Sequence, residues 1–171
     1  MEEWLDKPHV VLVGRSNVGK SSLINMLLGK KVVAVSKDPG RTRRVTFIPF
    51  GEKVYLVDVP GYGYARVSHR EREAWRRMME EYFSRYGELI KWVFLLIDSR
   101  VGVTPLDVQM IEWLHYRKLP YKVVLTKVDA ATQDEISSAI KSVRKHTTVE
   151  ILFTSSREGK GKKELLQYCL D

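Results

Sequence analysis

An apolar run at residues 9–13 leads straight into Gly14-Arg15-Ser16-Asn17-Val18-Gly19-Lys20-Ser21, and a stretch with helical spacing begins at Lys20. The spacing G-x-x-x-x-G-K-[ST] between a strand and a helix is the pattern of a phosphate-binding loop. Its glycines let the backbone curl round phosphate oxygens, so that successive N–H groups and the helix N-terminus face the negative charge. Lys20 is then placed to reach the β and γ phosphates of a nucleoside triphosphate, and Ser21 to hold Mg²⁺. Because such a loop requires a strand before it and a helix after it, it constrains the fold more than any other feature of the chain.

The remaining sequence continues the alternation. Short β-branched runs at 9–13, 45–50, 54–59, 92–98, 121–126 and 150–154 predict six strands, and helical spacing predicts helices over 20–28, 68–86, 104–116, 132–145 and 162–170. In the third helix Leu106, Met110, Trp113 and Leu114 are expected to form the stripe that covers the sheet. Only Gly51, Glu52 and Lys53 separate the second and third strands, which is hairpin spacing and predicts one antiparallel pair. The expected fold is α/β: a P-loop NTPase with a mostly parallel six-stranded sheet, one antiparallel strand and helices on both faces. At 171 residues, 44% of them hydrophobic, the chain can bury a core without disulfides or structural metals, and no linker or repeat divides it. One domain over 1–171 is expected. Cys169 has no bridging partner and is expected on a half-buried helix face. The first ten residues lack the pattern of a signal peptide and no apolar run approaches the ~20 residues of a membrane span, which points to a cytoplasmic protein.

A phosphate loop does not identify the base, because ATPases, nucleotide kinases and GTPases share it. After the fifth strand comes Thr126-Lys127-Val128-Asp129, which resembles the N/T-K-x-D guanine motif of the GTPase superfamily. Guanine presents two adjacent donors, N1–H and the 2-amino group, and a carboxylate such as Asp129 accepts both; adenine has no such pair. Lys127 can lay its stem over the purine, and Thr126 stands where asparagine is commoner. Asp58-Val59-Pro60-Gly61 closes the third strand as a D-x-x-G element: Asp58 is expected to meet Mg²⁺ through water, and the Gly61 N–H to sense the γ phosphate. Within Gly40-Arg41-Thr42-Arg43, Thr42 is the candidate second Mg²⁺ ligand. Thr154-Ser155-Ser156 resembles the loop that offers a backbone N–H to guanine O6. Lys20, Thr42 and Gly61 are the groups expected closest to the transferred phosphate. The motifs follow one another at strand ends, where an open α/β sheet places its ligands.

The sequence resembles the EngB type, also called YsxC or YihA, of bacterial GTPases. The resemblance rests on residues 14–25, GRSNVGKSSLIN; 39–43, PGRTR; 58–65, DVPGYGYA; 98–110, DSRVGVTPLDVQM; and 126–129, TKVD. It spans about residues 10–166 and implies a GTP-binding domain that binds GTP and GDP with Mg²⁺ and acts as a switch in assembly of the large ribosomal subunit, with that subunit's rRNA and proteins as partners and a monomer as the default state.

Where many switch GTPases carry a water-orienting glutamine after D-x-x-G, this chain has Tyr62, so slow intrinsic hydrolysis is expected, stimulated by a partner or by a monovalent cation. Asn17 resembles the position used by potassium-dependent relatives, so K⁺ is a candidate cofactor; an asparagine bonding within the loop is the other reading. The formal charge of +8 is concentrated at 30–44, with six basic residues against one acidic, at 66–77, with five against two, and at 157–163, with four against one. Clustering of this kind suggests a polyanionic partner. The first two stretches lie in or beside the loops that a γ phosphate would order. Trp75 and Tyr64 are placed to stack on bases, although aromatics at helical spacing such as Trp75, Met78, Met79 and Tyr82 also read as core. His9, His69, His115 and His146 show no ligand spacing and are assigned no role. Competing readings are a P-loop phosphotransferase, for which no arginine-rich lid separate from the switches is found, and a GTP-dependent binding module at a membrane or septum without significant turnover.

Overall fold

A computed structural model describes residues 4–31, 44–63 and 68–171. Strand β1 (His9–Gly14) is buried along its whole length. Its side chains divide by strand alternation: Val10 and Leu12 enter one hydrophobic cluster, Val11 and Val13 the other. That division places it at the centre of a sheet covered on both faces.

The other elements are α1 (Lys20–Leu28), β2 (Thr46–Phe50), β3 (Val54–Asp58), α2 (His69–Tyr86), β4 (Ile90–Asp98), α3 (Pro105–Tyr116), β5 (Tyr121–Thr126), α4 (Gln133–Arg144), β6 (Ile151–Phe153) and α5 (Lys162–Leu170). The six strands lie in the order β2-β3-β1-β4-β5-β6. β2 runs antiparallel to β3 and every other pairing is parallel, as the hairpin spacing predicted. Helices α2, α3 and α4 pack on the face that carries Val11 and Val13, and α1 and α5 on the opposite face with Val10 and Leu12. The C-terminal ends of β1, β3, β4, β5 and β6 consequently converge along one edge.

Local chemistry explains the helix starts. Ser68, Thr104 and Thr132 each accept a backbone N–H three residues on, while Glu71, Asp107 and Glu135 respectively reach back to the cap N–H. These capping boxes set the starts of α2, α3 and α4, and Pro105 occupies the first turn of α3, where its missing N–H is harmless. By contrast α1 and α5 begin after Gly19 and Gly161 in left-handed conformations, with no side-chain cap.

Two expectations need correction. Leu106 is 41% exposed; the covering stripe is Met110, Ile111 and Leu114, with Trp113 packed beside it. The reason is that Asp107 takes the inward position of the first helical turn, so Leu106 is rotated outward. Cys169 is fully buried between α5 and the sheet, and burial pushes its thiol up to about 12. His9 proves to be structural: its ring is buried, with one nitrogen 2.7 Å from the Tyr82 hydroxyl and the other donating to the Trp4 carbonyl at 2.7 Å. Trp75 packs against the core beside Met78, Met79 and Tyr82, which decides for the core reading of that stripe.

Candidate functional site

The phosphate loop leaves β1 at Gly14, where a side-chain carbon would stand 2.9 Å from the Leu96 carbonyl oxygen; only glycine lets the loop lie this close to β4. Arg15 and Val18 close a turn through a 3.2 Å backbone bond, and Asn17 takes a left-handed conformation at its exposed tip. Ser16 is half-buried behind it. Lys20 and Asp58 are both buried and form an ion pair across the site. This pair joins the first turn of α1 to the end of β3, and the half-buried Ser21 follows in the same turn. The Ser21 hydroxyl and the Asp58 carboxylate are hard oxygen donors, the chemistry that suits Mg²⁺ when nucleotide phosphates complete its shell. Gly40, Arg41, Thr42, Arg43 and Tyr64 lie outside the described residues.

The segment after β3 is stitched onto the phosphate loop. Tyr62 N–H donates to the Gly14 carbonyl at 3.2 Å and Ser16 N–H to the Tyr62 carbonyl at 2.8 Å, which forms a parallel bridge between Arg15 and Tyr62. Gly61 is pressed so close that a side-chain carbon there would lie 3.0 Å from both Cα and N of Ser16. Val59 and Pro60 are buried, and the Trp75 indole N–H donates to the Pro60 carbonyl at 2.8 Å. The Tyr62 ring points away from the loop into the core, edge-on to Trp75, and its hydroxyl donates to Asp107 at 2.5 Å. Burial, and the Asp107 carboxylate next to it, hold the Tyr62 phenol well above its ordinary range, so it remains a hydrogen-bond donor.

The loops expected to read the base also meet the phosphate loop. Thr126 is buried, and its hydroxyl donates to the Val18 carbonyl at 2.7 Å. The substitute for asparagine thus braces the phosphate loop. Lys127, in a left-handed conformation, sends its ammonium to the Asn17 carbonyl at 2.8 Å. The buried Val128 donates its N–H to the Thr154 carbonyl at 3.2 Å, which binds the two base-side loops to each other. Asp129 is exposed in the following turn. Within 154–156 the N–H groups are not equivalent: Thr154 donates to Leu125 at 2.8 Å and Ser155 to Lys160 at 3.1 Å. Of the three, Ser156 is the one whose N–H can turn to a base.

Two groups escaped the sequence reading. Asp107, 1% exposed, joins α3 to Tyr62, and Asp98 at the end of β4 lies 3.4 Å from the Lys127 ammonium. An acidic residue at the C-terminal end of a central strand was the available signal for Asp98. Both residues lie in the 98–110 stretch that carries the family resemblance, which gave neither an individual role. Among the described residues no cluster of histidine, cysteine or acidic side chains could hold a metal by itself, and no helix is long and apolar enough to cross a membrane.

Comparison with known proteins places this arrangement. The family model described as "50S ribosome-binding GTPase" matches residues 9–127. A protein of Aquifex aeolicus named "Probable GTP-binding protein EngB" is 56% identical over 167 residues, covering 97% of this chain and 91% of its own. One of the same name from Pelotomaculum thermopropionicum is 46% identical over 165 residues, covering 94% and 83%. A crystal structure of an engB protein, 24% identical, superposes with a TM-score of 0.79 over 94% of this chain and 95% of that one, which shows the shared fold. The Era protein of Aquifex aeolicus bound to GDP and AlF4⁻ is 27% identical, with a TM-score of 0.75 over 93% of this chain and 54% of Era.

Proposed function

Because this chain belongs to the EngB family of GTP-binding proteins and is a GTPase, we propose that it is a slow GTP-hydrolysing switch that acts on the large ribosomal subunit during its assembly. The observation that carries the partner is a set of basic side chains where the C-terminal end of α1 meets the start of α5. α1 packs against α5, and a side-chain carbon at Gly29 would lie 3.8 Å from the Lys162 ammonium. Lys30, Lys31, Arg157, Lys160 and Lys163 around this junction are exposed, Lys162 is half-buried, and among the described residues none of these cations forms an ion pair. The arginines of α2 alternate with glutamates instead, and Arg76 pairs with Glu73 at 3.7 Å. An unneutralised face of this kind suits the phosphate backbone of RNA, whose contacts are electrostatic and salt-dependent. Among the described residues, its one large exposed apolar neighbour is Phe153, 37% exposed. The description of the matching family, ribosome-binding GTPases, supports the same reading.

At the nucleotide, Lys20 would pair with the β and γ phosphates and the N–H groups of the phosphate loop would cradle them. Ser21, Asp58 through water, and Thr42 would hold Mg²⁺, which supplies charge neutralisation for phosphoryl transfer. Asp129 would accept the two guanine donors, Lys127 would cover the purine, and the Ser156 N–H would meet O6. Slow turnover follows from Tyr62: its hydroxyl is bound to Asp107 inside the core and cannot orient a water at the γ phosphate. Stimulation then has to come from outside that position, from the ribosomal partner or from K⁺ near Asn17. The chain would work in the cytoplasm, as a monomer.

The test is co-sedimentation with purified ribosomal subunits, with GDP or a non-hydrolysable GTP analogue, at low and moderate salt. Selective binding to the large subunit in the GTP state that survives moderate salt is expected. Binding that is equal in both nucleotide states and lost with salt would overturn the switch reading.

A further inference from the structure

Lys127 is held more firmly than a lysine covering a purine needs to be by its own motif. Its backbone is left-handed, with φ of 59°, a conformation that a side chain with a Cβ adopts only under constraint. Its stem passes within 3.5 Å of where a Gly19 side-chain carbon would be, and its ammonium is shared between the Asn17 carbonyl at 2.8 Å and the Asp98 carboxylate at 3.4 Å. Asp98 in turn is gripped by one residue through three bonds: Arg100 donates its backbone N–H at 2.9 Å, its Nε at 3.1 Å and a terminal nitrogen at 2.9 Å. The Asp98 side chain is 12% exposed, so the attraction is only partly screened by water, while the Arg100 side chain is 42% exposed. Although burial works the other way, the bonds from Arg100 and the charge of Lys127 hold the Asp98 carboxyl below its usual range. Neither residue belongs to the phosphate loop or to the guanine motif. The network borders a cavity of about 350 Å³ between the phosphate loop and the start of α3, so truncating either side chain opens space without forcing a clash.

We propose that Asp98, clamped by Arg100, is a positioning residue for guanine nucleotide binding: it fixes the Lys127 ammonium against the phosphate loop and thereby sets how long the nucleotide stays. The inference rests on the nucleotide-site assignment proposed above. The bonds run from the guanine motif to the phosphate loop at Asn17 and involve none of Lys20, Asp58 and Gly61, the groups proposed nearest the γ phosphate. Loss of the clamp therefore shortens the residence of GDP and of a GTP analogue to the same extent.

The experiment measures dissociation of fluorescently labelled GDP and of a labelled non-hydrolysable GTP analogue from the parent chain, Asp98→Ala, Asp98→Asn, Arg100→Ala, Lys127→Met and the double variant Asp98→Ala/Lys127→Met, each checked for native circular dichroism. Release from Asp98→Ala is expected about tenfold faster and from Arg100→Ala about threefold faster, equally for both nucleotides, as fits the loss of a hydrogen bond to a charged group. Asp98→Asn keeps an acceptor for the Arg100 N–H but lacks the charge, and is expected between Asp98→Ala and the parent. In the Lys127→Met background the Asp98 substitution is expected to add nothing, an outcome a merely structural role would not produce. Arg100→Ala keeps the proposal testable if the Asp98 variants do not fold, because its side chain lies at the surface. Fast release from Lys127→Met with parent-like release from Asp98→Ala and Arg100→Ala would overturn the positioning role alone. Parent-like release from Lys127→Met itself would overturn the site assignment, and the inference with it. An Asp98 effect that is confined to the GTP analogue, or that persists undiminished without Lys127, would also overturn it.

Discussion

Replacing Tyr62 by Phe removes one oxygen and leaves the ring where it is, so it isolates the bond between the segment after β3 and α3. The Asp107 carboxylate is 1% exposed. Its Oδ2 keeps the N–H and hydroxyl of Thr104, each at 2.9 Å, but Oδ1 has the Tyr62 hydroxyl at 2.5 Å as its hydrogen-bond donor. The substitution therefore strands a buried anionic oxygen, a loss of about 1.5–3 kcal/mol for a hydrogen bond to a charged group. For a domain of this size about 2 kcal/mol corresponds to a fall of about 4–8 °C in melting temperature. Urea unfolding of the nucleotide-free protein measures the difference, and Asp107→Asn with the double variant closes a cycle whose coupling energy reports this bond rather than general loosening. A Tyr62→Phe variant within about 0.5 kcal/mol of the parent, or a coupling energy near zero, would show that the hydroxyl does not anchor this segment and would remove the structural reason for slow hydrolysis.

Gly61→Ala drives a methyl group to 3.0 Å from the Cα and N of Ser16, and is expected to destabilise the protein by about 1–3 kcal/mol in the same urea assay; an unchanged midpoint would contradict the close approach. Asp129→Asn is expected to shift nucleotide preference from guanine toward xanthine, whose 2-position is an acceptor, and competition binding with GDP and XDP reads the shift; retained guanine preference would refute the assignment of that carboxylate. Burial is the main cause that lowers the pKa of His9, so the folded ring stays neutral while the unfolded one takes up a proton near pH 6.5. The unfolded state then binds more protons, so its contribution to stability is complete above that value and is lost as pH falls through it, with a slope of up to about 1.4 kcal/mol per unit. Unfolding free energies at pH 7.5 and 5.5 test this, and equal values would contradict it.

Much of this protein could be read along the chain, because the relevant physics is local. The glycine spacing of 14–19, the hairpin at Gly51, and the helical spacing over 68–86, 104–116 and 132–145 each involve residues a few positions apart, and they placed the elements to within two residues. The candidate ligand motifs stand out for the same reason: each is a short run of consecutive residues. What no local pattern encodes is which strand ends become neighbours and which side of a helix turns inward. The order β2-β3-β1-β4-β5-β6 brings Gly14, Asp58, Asp98, Thr126 and Thr154 onto one edge, and it does so through registers set by burial on two faces at once. Only that arrangement turned Thr126 toward Val18, set Asp98 beside Lys127 and drew Tyr62 inward to Asp107. Leu106 reads as core by spacing alone, yet the polar Asp107 occupies the inward position because Tyr62, distant in sequence, supplies the hydrogen bond that makes its burial tolerable.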